Sequence, residues 1–443
     1  MVSTSADISS GARDTAITFF TRLSVMAASL GIQSALAWFL GPAGRGSYAV
    51  CILFAMMLTI VFTMSVDRAG QYLVASGRAK VVDGVLVTLT AGLTGSAIGV
   101  AVGYVLIQSG AEFFTKATPG AFKLSLILVP LNILTDSLVF LLIGLRRFAW
   151  MSRIAIARVS AHLLFTLVLI KGFNLGVNGA LVALMIGNAV AIAFGLWFFR
   201  SHYGLAPKRL LRSDFSTLFS FGMRYWLANL GSQMNFRIGT LVLAWFVTTP
   251  EIGIFAAAAS LVSRVLLIPD AIGAALLPRV ASDPEGRSGL VAQVARLSLM
   301  VCGALLALLV LVSRPLVAVL FSPDFMSAVP LIWMIAVGMF AHAGSKVLVS
   351  YFMGINRPAI CSWAVVSALA FNFAALMVLL PLTGLTGAAW AMTIGYLART
   401  LVLVLSFRAV TRRGFKETWL PRRSDIALLV DLVRSRKWMR SGA

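Results

Sequence analysis

The chain has 443 residues, of which 60% are hydrophobic and only 12% are charged, and its mean hydropathy is +0.94. Soluble domains are about 45–50% apolar and about 25% charged, so this composition excludes an ordinary cytosolic protein. Lysine and arginine outnumber the acidic residues 37 to 15, for a net charge of +22. These bases are spread through the loops between apolar stretches, which indicates membrane topology rather than nucleic-acid binding.

Apolar stretches of about 18 residues or more recur along the chain, each long enough to cross a bilayer core of about 30 Å. The first is too long for the apolar region of a cleavable signal peptide. We therefore predict an all-α membrane protein with about twelve transmembrane helices. In chain order, the predicted spans are residues 15–40, 47–66, 84–108, 123–145, 154–171, 176–199, 217–247, 251–277, 289–312, 329–354, 360–381 and 386–407.

The loops between these spans set the orientation. An even number of spans puts both termini on one side, where the loops and termini carry 24 Lys and Arg, whereas the opposite loops carry five, Arg45 among them. The positive-inside rule then places both termini in the cytoplasm. The predicted segments are a cytoplasmic N-terminus at 1–14, an N-lobe of helices 1–6 at 15–200, a cytoplasmic inter-lobe loop at 201–216, a C-lobe of helices 7–12 at 217–407 and a basic cytoplasmic tail at 408–443.

Two interpretations of the tail are open. It carries ten Lys and Arg, and its segment 425–433 contains two acids, Asp425 and Asp431, among apolar residues. Such a segment can form a short amphipathic helix on anionic headgroups. A solvated orientation signal explains the same composition.

The two halves of the sequence resemble each other. Ala37-Trp38-Phe39 recurs as Ala244-Trp245-Phe246, and at the same offset of 207 residues Gly46 aligns with Gly253. Six spans followed by six, both sets starting in the cytoplasm, predict two lobes related by a pseudo-twofold axis along the membrane normal. Transporters built in this way bind their substrate near the bilayer midplane, between the lobes.

Several motifs resemble polysaccharide-transport flippases of the Wzx type, which belong to the multidrug/oligosaccharidyl-lipid/polysaccharide exporter superfamily. They are Leu40-Gly41-Pro42 with Gly46-Ser47-Tyr48-Ala49, Phe321-Ser322-Pro323-Asp324-Phe325, Tyr351-Phe352-Met353-Gly354-Ile355-Asn356-Arg357-Pro358 and Gly384-Leu385-Thr386-Gly387-Ala388-Ala389. The resemblance covers about residues 15–407. It implies alternating-access translocation of undecaprenyl-pyrophosphate-linked oligosaccharide across the bacterial inner membrane, from the cytoplasmic to the periplasmic leaflet, for O-antigen or exopolysaccharide assembly.

The charges inside the predicted spans point to the ligand. Eight basic residues lie within spans, whereas Asp136 and Asp270 are the clearly embedded acids. A charge at the bilayer centre costs about 2.5–3.5 kcal/mol, so it is normally retained only beside a wet cavity or a ligand. An excess of cations suits an anion, and a diphosphate accepts hydrogen bonds from several guanidinium groups at once. The predicted substrate-binding residues are Arg22, Arg237, Arg264 and Lys346, with Gln33, Asn229 and Gln233.

Other embedded polar residues have two interpretations each. Arg158, Arg224 and Arg296 lie near cytoplasmic helix ends, where their side chains either snorkel to headgroups or face the cavity. Asp136 and Asp270 are candidates for ion coupling or for charge pairing, and Asp270 follows a proline in a predicted helix kink. For Arg399, the two interpretations are pairing with a backbone carbonyl and pairing with a neighbouring helix.

The two embedded histidines, His162 and His342, are hydrogen-bonded structural residues or proton relays. One position departs from the family. Its members often carry an acid two positions after the arginine of the seventh span, where this chain has Gly239. This substitution leaves ion coupling open, but it does not affect the inference of anion binding.

Alternative functions differ in the embedded charge that they need. A multidrug exporter of the same superfamily moves organic cations and needs embedded carboxylates, whereas a lipid II flippase carries another polyprenyl pyrophosphate but commonly has fourteen spans. A membrane scaffold has no use for unpaired midplane charges. The chain has no nucleotide-binding or hydrolase motif, and its three cysteines lie singly in apolar spans, so we expect no enzyme activity, cofactor or metal. The expected partners are the polyprenyl-pyrophosphate-linked glycan, membrane lipids and other polysaccharide-assembly proteins, with no nucleic acid.

Overall fold

The computed structural model describes residues 5–77, 80–204, 241–283 and 288–412, with single residues between 215 and 239 and between 419 and 425. The backbone of these residues is helical apart from short turns, and it contains no β-strand. Contacts divide the chain into two compact units. The first unit comprises Met1–Gln233, Thr248–Gly253 and Leu320–Asp324, and the second comprises Met234–Val247, Ile254–Val319 and Phe325–Ala443.

Fourteen α-helices lie in the described residues, and we number them in chain order. Up to residue 204 they are α1 (Ser5–Phe62), α2 (Val66–Ala75), α3 (Val81–Gln108), α4 (Pro119–Ser125), α5 (Leu128–Gly144), α6 (Phe148–Leu167) and α7 (Gly176–Tyr203). From residue 249 they are α8 (Thr249–Ser263), α9 (Leu267–Ser282), α10 (Ser288–Leu311), α11 (Ser313–Phe321), α12 (Ala328–Gly354), α13 (Pro358–Thr383) and α14 (Leu385–Thr411). Helical turns of other types occupy Glu112–Thr115, Val168–Gly172, Arg264–Leu266 and Pro323–Phe325.

The helices confirm the predicted class, a multi-pass, all-α membrane protein. Ten stretches of the described residues are long and apolar enough to cross a membrane. One of them, Phe20–Phe62, has 43 residues and contains both the first and second predicted spans. The seventh predicted span, 217–247, falls mostly outside the described residues. The ten stretches therefore correspond to eleven of the twelve predicted spans.

The break between the first two spans lies at Gly41, inside α1. Gly41 has φ 65° and ψ −175°, a conformation that an L-residue with a side chain rarely adopts. Pro42 follows, and its missing N–H and fixed φ suit the first turn of the next helical segment. The Gly-Pro pair therefore lets the chain turn sharply between the two membrane spans that α1 contains.

In the first unit, aromatic rings pack the turn that follows α3 against α1 and α4. Phe54 of α1 packs edge-on against Phe114 at a centroid distance of 5.2 Å. Phe114 packs in the same way against Phe122 of α4 at 5.1 Å. A separate buried cluster, which includes Val85, Leu138 and Phe198, holds α3, α5 and α7 together. These contacts give the helix ends fixed positions that helix–lipid contacts alone do not provide.

The core of the second unit lies between α9, α10, α12 and α14. Tyr351 and Phe407 form an edge-on aromatic pair in it, with centroids 5.0 Å apart and planes at 76°. Trp419 of the tail packs against the same cluster. A Cβ on Gly344 would come within 3.0 Å of Cη2 of Trp419, so the absence of a side chain at Gly344 makes room for the indole.

The tail is anchored to this core by a buried ion pair, which neither sequence interpretation predicted. Arg296 of α10 donates to both carboxylate oxygens of Asp425, from Nε at 2.6 Å and from Nη2 at 3.0 Å. The backbone N–H of Arg422 donates to Asp425 Oδ2 at 2.9 Å. Snorkelling of Arg296 is therefore wrong, and Asp425 lies in the protein interior instead of on headgroups. The remainder of segment 425–433 lies outside the described residues.

A reciprocal contact in the first unit matches the sequence repeat. A Cβ on Gly46 would overlap the carbonyl oxygen of Thr249, and a Cβ on Gly253 would overlap the carbonyl oxygen of Pro42. Both pairs of equivalent positions, 46 with 253 and 42 with 249, are separated by the offset of 207 residues. When residue i of one segment contacts j of the other and the reverse also holds, the two segments are related by a local twofold.

Alanine at Gly46 is expected to destabilise the protein, because the added methyl group overlaps backbone rather than a mobile side chain. Overpacking of this kind costs about 1–3 kcal/mol. Thermal unfolding of the purified protein measures the effect, with Gly120→Ala as the matched control because a Cβ there meets nothing within 4 Å. Equal unfolding temperatures for the two variants would contradict the close backbone contact.

Candidate functional site

Three of the predicted site residues, Arg264, Asp270 and Lys346, lie near a break between α8 and α9 in the second unit. The predicted eighth span is continuous in length, but Arg264–Leu266 forms a 3₁₀ turn within it. Arg264 is half-buried in this turn. Short 3₁₀ segments inside a helix often mark hinges or functional positions. The predicted kink was placed at Pro269, which lies inside α9, and the departure from α-helix is the turn just before that helix.

Asp270 and Lys346 form an ion pair between α9 and α12. Lys346 Nζ donates to Asp270 Oδ1 at 2.7 Å, and the lysine side chain is 22% exposed and the aspartate 45%. α9 and α12 approach closely at this point, as a Cβ on Gly273 would lie only 2.5 Å from the hydroxyl of Ser350. Lys346 and Ser350 lie one turn apart on the same face of α12. That face is turned towards α9.

His342, one turn before Lys346, faces α14. It is fully buried, and its ring stacks on Tyr396 with a centroid distance of 4.5 Å and an interplanar angle of 15°. Arg399 lies one turn further along α14, is 7% exposed, and has no hydrogen-bond partner at Nε and Nη1 within the described part of the chain. Arg399 was not among the predicted binding residues. Its position three residues after Tyr396, inside an apolar span, was the available signal.

A cavity of about 100 Å³ lies beside Tyr396 in the second unit. Gly239, Asn372 and Tyr396 are among its lining residues, and the rest are apolar or glycine. Asn372 Oδ1 is buried without a hydrogen-bond partner in the described residues. The family's acid two positions after Arg237 is thus replaced by open space at Gly239, where a Cβ would meet only Asn372, at 3.9 Å.

The predicted substrate residues fall in both units. Gln33 belongs to the first unit, where its side-chain oxygen accepts a hydrogen bond from Arg45 Nη2 at 2.9 Å. Arg45 was assigned to a loop, and this is wrong: it is 2% exposed within α1, and its guanidinium lies 4.4 Å from the ring centroid of Phe321. Arg22 is also in α1, with an exposed side chain.

Of the remaining predicted residues, Arg237 is half-buried in the second unit, and Asn229 and Gln233 lie outside the described residues. Asp136 and Arg158 of the first unit interact electrostatically, which places this carboxylate near an embedded base as the pairing hypothesis requires. His162 follows Arg158 by one turn of α6 and packs against Gly187 of α7. Its Nε2 is buried and has no hydrogen-bond partner among the residues that the structure describes.

The arrangement in the second unit can bind an anion. Arg264, Lys346 and Arg399 supply three cationic side chains, and Asp270 pairs with Lys346 and interacts electrostatically with Arg399. Guanidinium and ammonium groups at helix breaks and between helices are suited to phosphate oxygens. No group of three potential metal ligands occurs among the described residues.

Comparison with known proteins identifies the family. The family model described as polysaccharide biosynthesis protein matches residues 12–282. This chain belongs to that family. The sequence finds no significant match among curated proteins.

Solved structures share the fold over nearly their whole length. The lipid II flippase MurJ in an inward closed conformation superposes with a TM-score of 0.71 at 14% identity, covering 97% of this chain and 99% of MurJ. An inward-facing MATE family transporter of the MOP superfamily gives 0.69 at 14% identity, covering 89% and 98%. A Pyrococcus furiosus MOP superfamily transporter with a binding pocket of reverse polarity gives 14% identity over 90% and 96%, with a TM-score of 0.58. This chain therefore has the fold of the MOP superfamily transporters.

Proposed function

We propose that the protein is a flippase for undecaprenyl-pyrophosphate-linked oligosaccharide. It moves this lipid from the cytoplasmic to the periplasmic leaflet of the bacterial inner membrane by alternating access, with both its termini in the cytoplasm. The translocated glycan then enters O-antigen or exopolysaccharide assembly. Membership of the polysaccharide biosynthesis family and the MOP superfamily fold support a transporter of this class.

The observation that carries the proposal is the sign of the embedded charge. When the first and last residue of each predicted span are left out, basic residues outnumber acids eight to two in the spans. Such charges are expensive in the bilayer, so they are retained where a ligand or cavity uses them. A pyrophosphate headgroup has several oxygens that accept charge-assisted hydrogen bonds from Arg237, Arg264 and Lys346 together.

The Asp270–Lys346 pair suggests how binding alters the second unit. The carboxylate and a pyrophosphate compete for the same ammonium group, because Lys346 Nζ is 2.7 Å from Asp270 in the present structure. When the pyrophosphate binds Lys346, the Asp270–Lys346 ion pair between α9 and α12 is weakened. This pair lies near the 3₁₀ turn that contains Arg264. A ligand changes a conformational equilibrium only through such differential contacts.

A lipid II flippase is the second candidate, because MurJ shares the fold over 97% of this chain. Its substrate carries the same pyrophosphate, so the cationic residues do not separate the two functions. A multidrug exporter is less compatible with the embedded charge, because organic cations are repelled by these bases and attracted by carboxylates.

The lipid that accumulates in cells without the protein distinguishes the candidates. We expect a polyprenyl-pyrophosphate-linked oligosaccharide to accumulate on the cytoplasmic leaflet, while surface polysaccharide is lost and cell growth continues. Extraction and mass spectrometry of the lipid fraction provide the measurement. Accumulation of lipid II with cell lysis would assign the second candidate, and unchanged lipid-linked intermediates would contradict both.

A further inference from the structure

The hydrogen bonds around His342 determine which of its nitrogens carries a proton. The Ser345 hydroxyl donates to the carbonyl oxygen of His342 at 2.7 Å, and its oxygen is 3.2 Å from His342 Nδ1. A serine hydroxyl has a single hydrogen, and we assign it to the shorter contact, with the carbonyl oxygen, which makes Nδ1 the donor in the second contact. Nε2 of the neutral ring then presents a lone pair. It is buried and has no hydrogen-bond partner among the described residues.

The charges around His342 do not balance. From the elements packed against it, the titratable and charged groups are Asp270 of α9, Lys346 of α12 itself, Cys361 of α13, and Tyr396 and Arg399 of α14. Arg296 of α10, which also packs on α12, is neutralised by Asp425. Asp270 compensates Lys346, which leaves the charge of the buried Arg399 in excess. An uncompensated charge of this kind is costly in the protein interior.

An anion carrying two charges corrects this imbalance only if a proton enters with it. The first charge is compensated by Arg399, whose Nε and Nη1 are available as donors. The second is compensated when Nε2 of His342 takes a proton from the aqueous phase, forming an N–H bond that donates to the anion. Before the anion arrives, the fully buried ring is neutral, because a charge in the protein interior is costly without a partner.

We propose that Arg399 and His342 form a buried phosphate site in the second unit that takes up a proton together with the anion. Tyr396 connects the two residues, since its ring stacks on His342 and it precedes Arg399 by three residues on α14. Tyr396 also lines a cavity of about 100 Å³. The phosphate is supplied either by the pyrophosphate of the lipid-linked glycan or by a free ion. The first source rests on the proposed function, whereas the site itself does not.

Sulfate is the first probe, because it is a dianion without a titrating proton at pH 7 and resembles phosphate in shape. Added to the full chain in lipid nanodiscs in weakly buffered solution, it should raise the thermal unfolding temperature by a few degrees. A pH-indicator dye should report uptake of up to about one proton per bound anion, because one ring nitrogen is available.

Three variants separate the parts of the site. Arg399→Gln should abolish both the thermal shift and the proton uptake, and it should fold, because it removes an uncompensated buried charge. His342→Gln should abolish the uptake and leave a reduced thermal shift. Arg357→Gln is the matched control, since Arg357 is exposed in a loop, and it should behave as wild type. Proton uptake that persists in Arg399→Gln, or no uptake in the wild type, would overturn the proposal.

The lipid source is tested by repeating the measurement with undecaprenyl pyrophosphate incorporated into the nanodiscs. Proton uptake with this lipid, lost in Arg399→Gln, identifies the substrate headgroup as the ligand. Uptake with sulfate but not with the lipid supports the site and overturns the lipid as its source. Failure of the flippase proposal has a different signature, namely absence of lipid translocation, which these binding measurements do not involve.

Discussion

Replacing both Arg237 and Arg264 by alanine is expected to stop polysaccharide export while the amount of folded protein in the membrane stays near normal. Each arginine offers the pyrophosphate charge-assisted hydrogen bonds worth about 1.5–3 kcal/mol. Loss of one such bond from each side chain removes about 3–6 kcal/mol from substrate or transition-state binding, which is about 10²- to 10⁴-fold in rate. Surface polysaccharide and lipid-linked intermediate, measured in the same cells, give the result.

Lysine at the same positions is the informative companion. Lysine keeps the charge but loses the planar fork that binds two oxygens at once, so each single lysine variant should restore export only in part. Arg357→Ala is the exposed control and should export normally. If the double alanine variant exports normally, these arginines do not bind the substrate. If it is lost from the membrane as an unfolded protein, their role is structural.

Asparagine in place of Asp425 is expected to destabilise the protein by about 3–5 kcal/mol, the cost of leaving a buried charge without its partner. Asp425 is fully buried and Arg296 is 5% exposed, so water does not take the place of the carboxylate. Thermal unfolding should shift by several degrees, and protease should cleave the tail faster. The double variant Arg296→Met/Asp425→Leu should recover much of the loss, because apolar residues often replace a buried pair without cost.

The same pair predicts how the stability depends on pH. The hydrogen bonds from the Arg296 side chain hold the pKa of Asp425 below its ordinary value, which is about 3.9. A carboxylate with a lowered pKa stabilises the fold above its unfolded-state pKa and loses that contribution as the pH falls through its folded-state pKa. The difference in stability between wild type and Asp425→Asn should therefore stay constant from about pH 5 to pH 8. A difference that disappears within that range would contradict the buried pair.

Hydropathy predicted most of the helices, because crossing a bilayer imposes a length and a composition that the sequence displays directly. The internal repeat predicted the equivalence of Gly46 with Gly253, whose close contacts exclude side chains. Arg45 was assigned wrongly because a charge inside an apolar stretch looks like a span boundary. Its contacts with Gln33 and Phe321 allow it to remain buried.

The ionic contacts of the site were harder to predict than the helices. Asp425 and Arg296 are 129 residues apart and Asp270 and Lys346 are 76 apart, so no local periodicity connects them. The scarcity of embedded acids did single out Asp270 as a pairing candidate. The acids of the tail did not stand out in the same way, because the tail that contains Asp425 is rich in bases. The stacking of His342 on Tyr396 depends on the rotation of two helices, which composition does not determine.

Translocation in a purified system tests the central claim most directly. The full chain is reconstituted into vesicles that contain undecaprenyl-pyrophosphate-linked oligosaccharide in both leaflets, and a membrane-impermeant glycosidase is added outside. With the wild-type protein, we predict that nearly all of the lipid-linked glycan is cleaved, because the inner pool is moved outward. With Arg237→Ala/Arg264→Ala, cleavage should stop at the outer-leaflet fraction. Cleavage limited to that fraction with the wild-type protein would contradict a flippase.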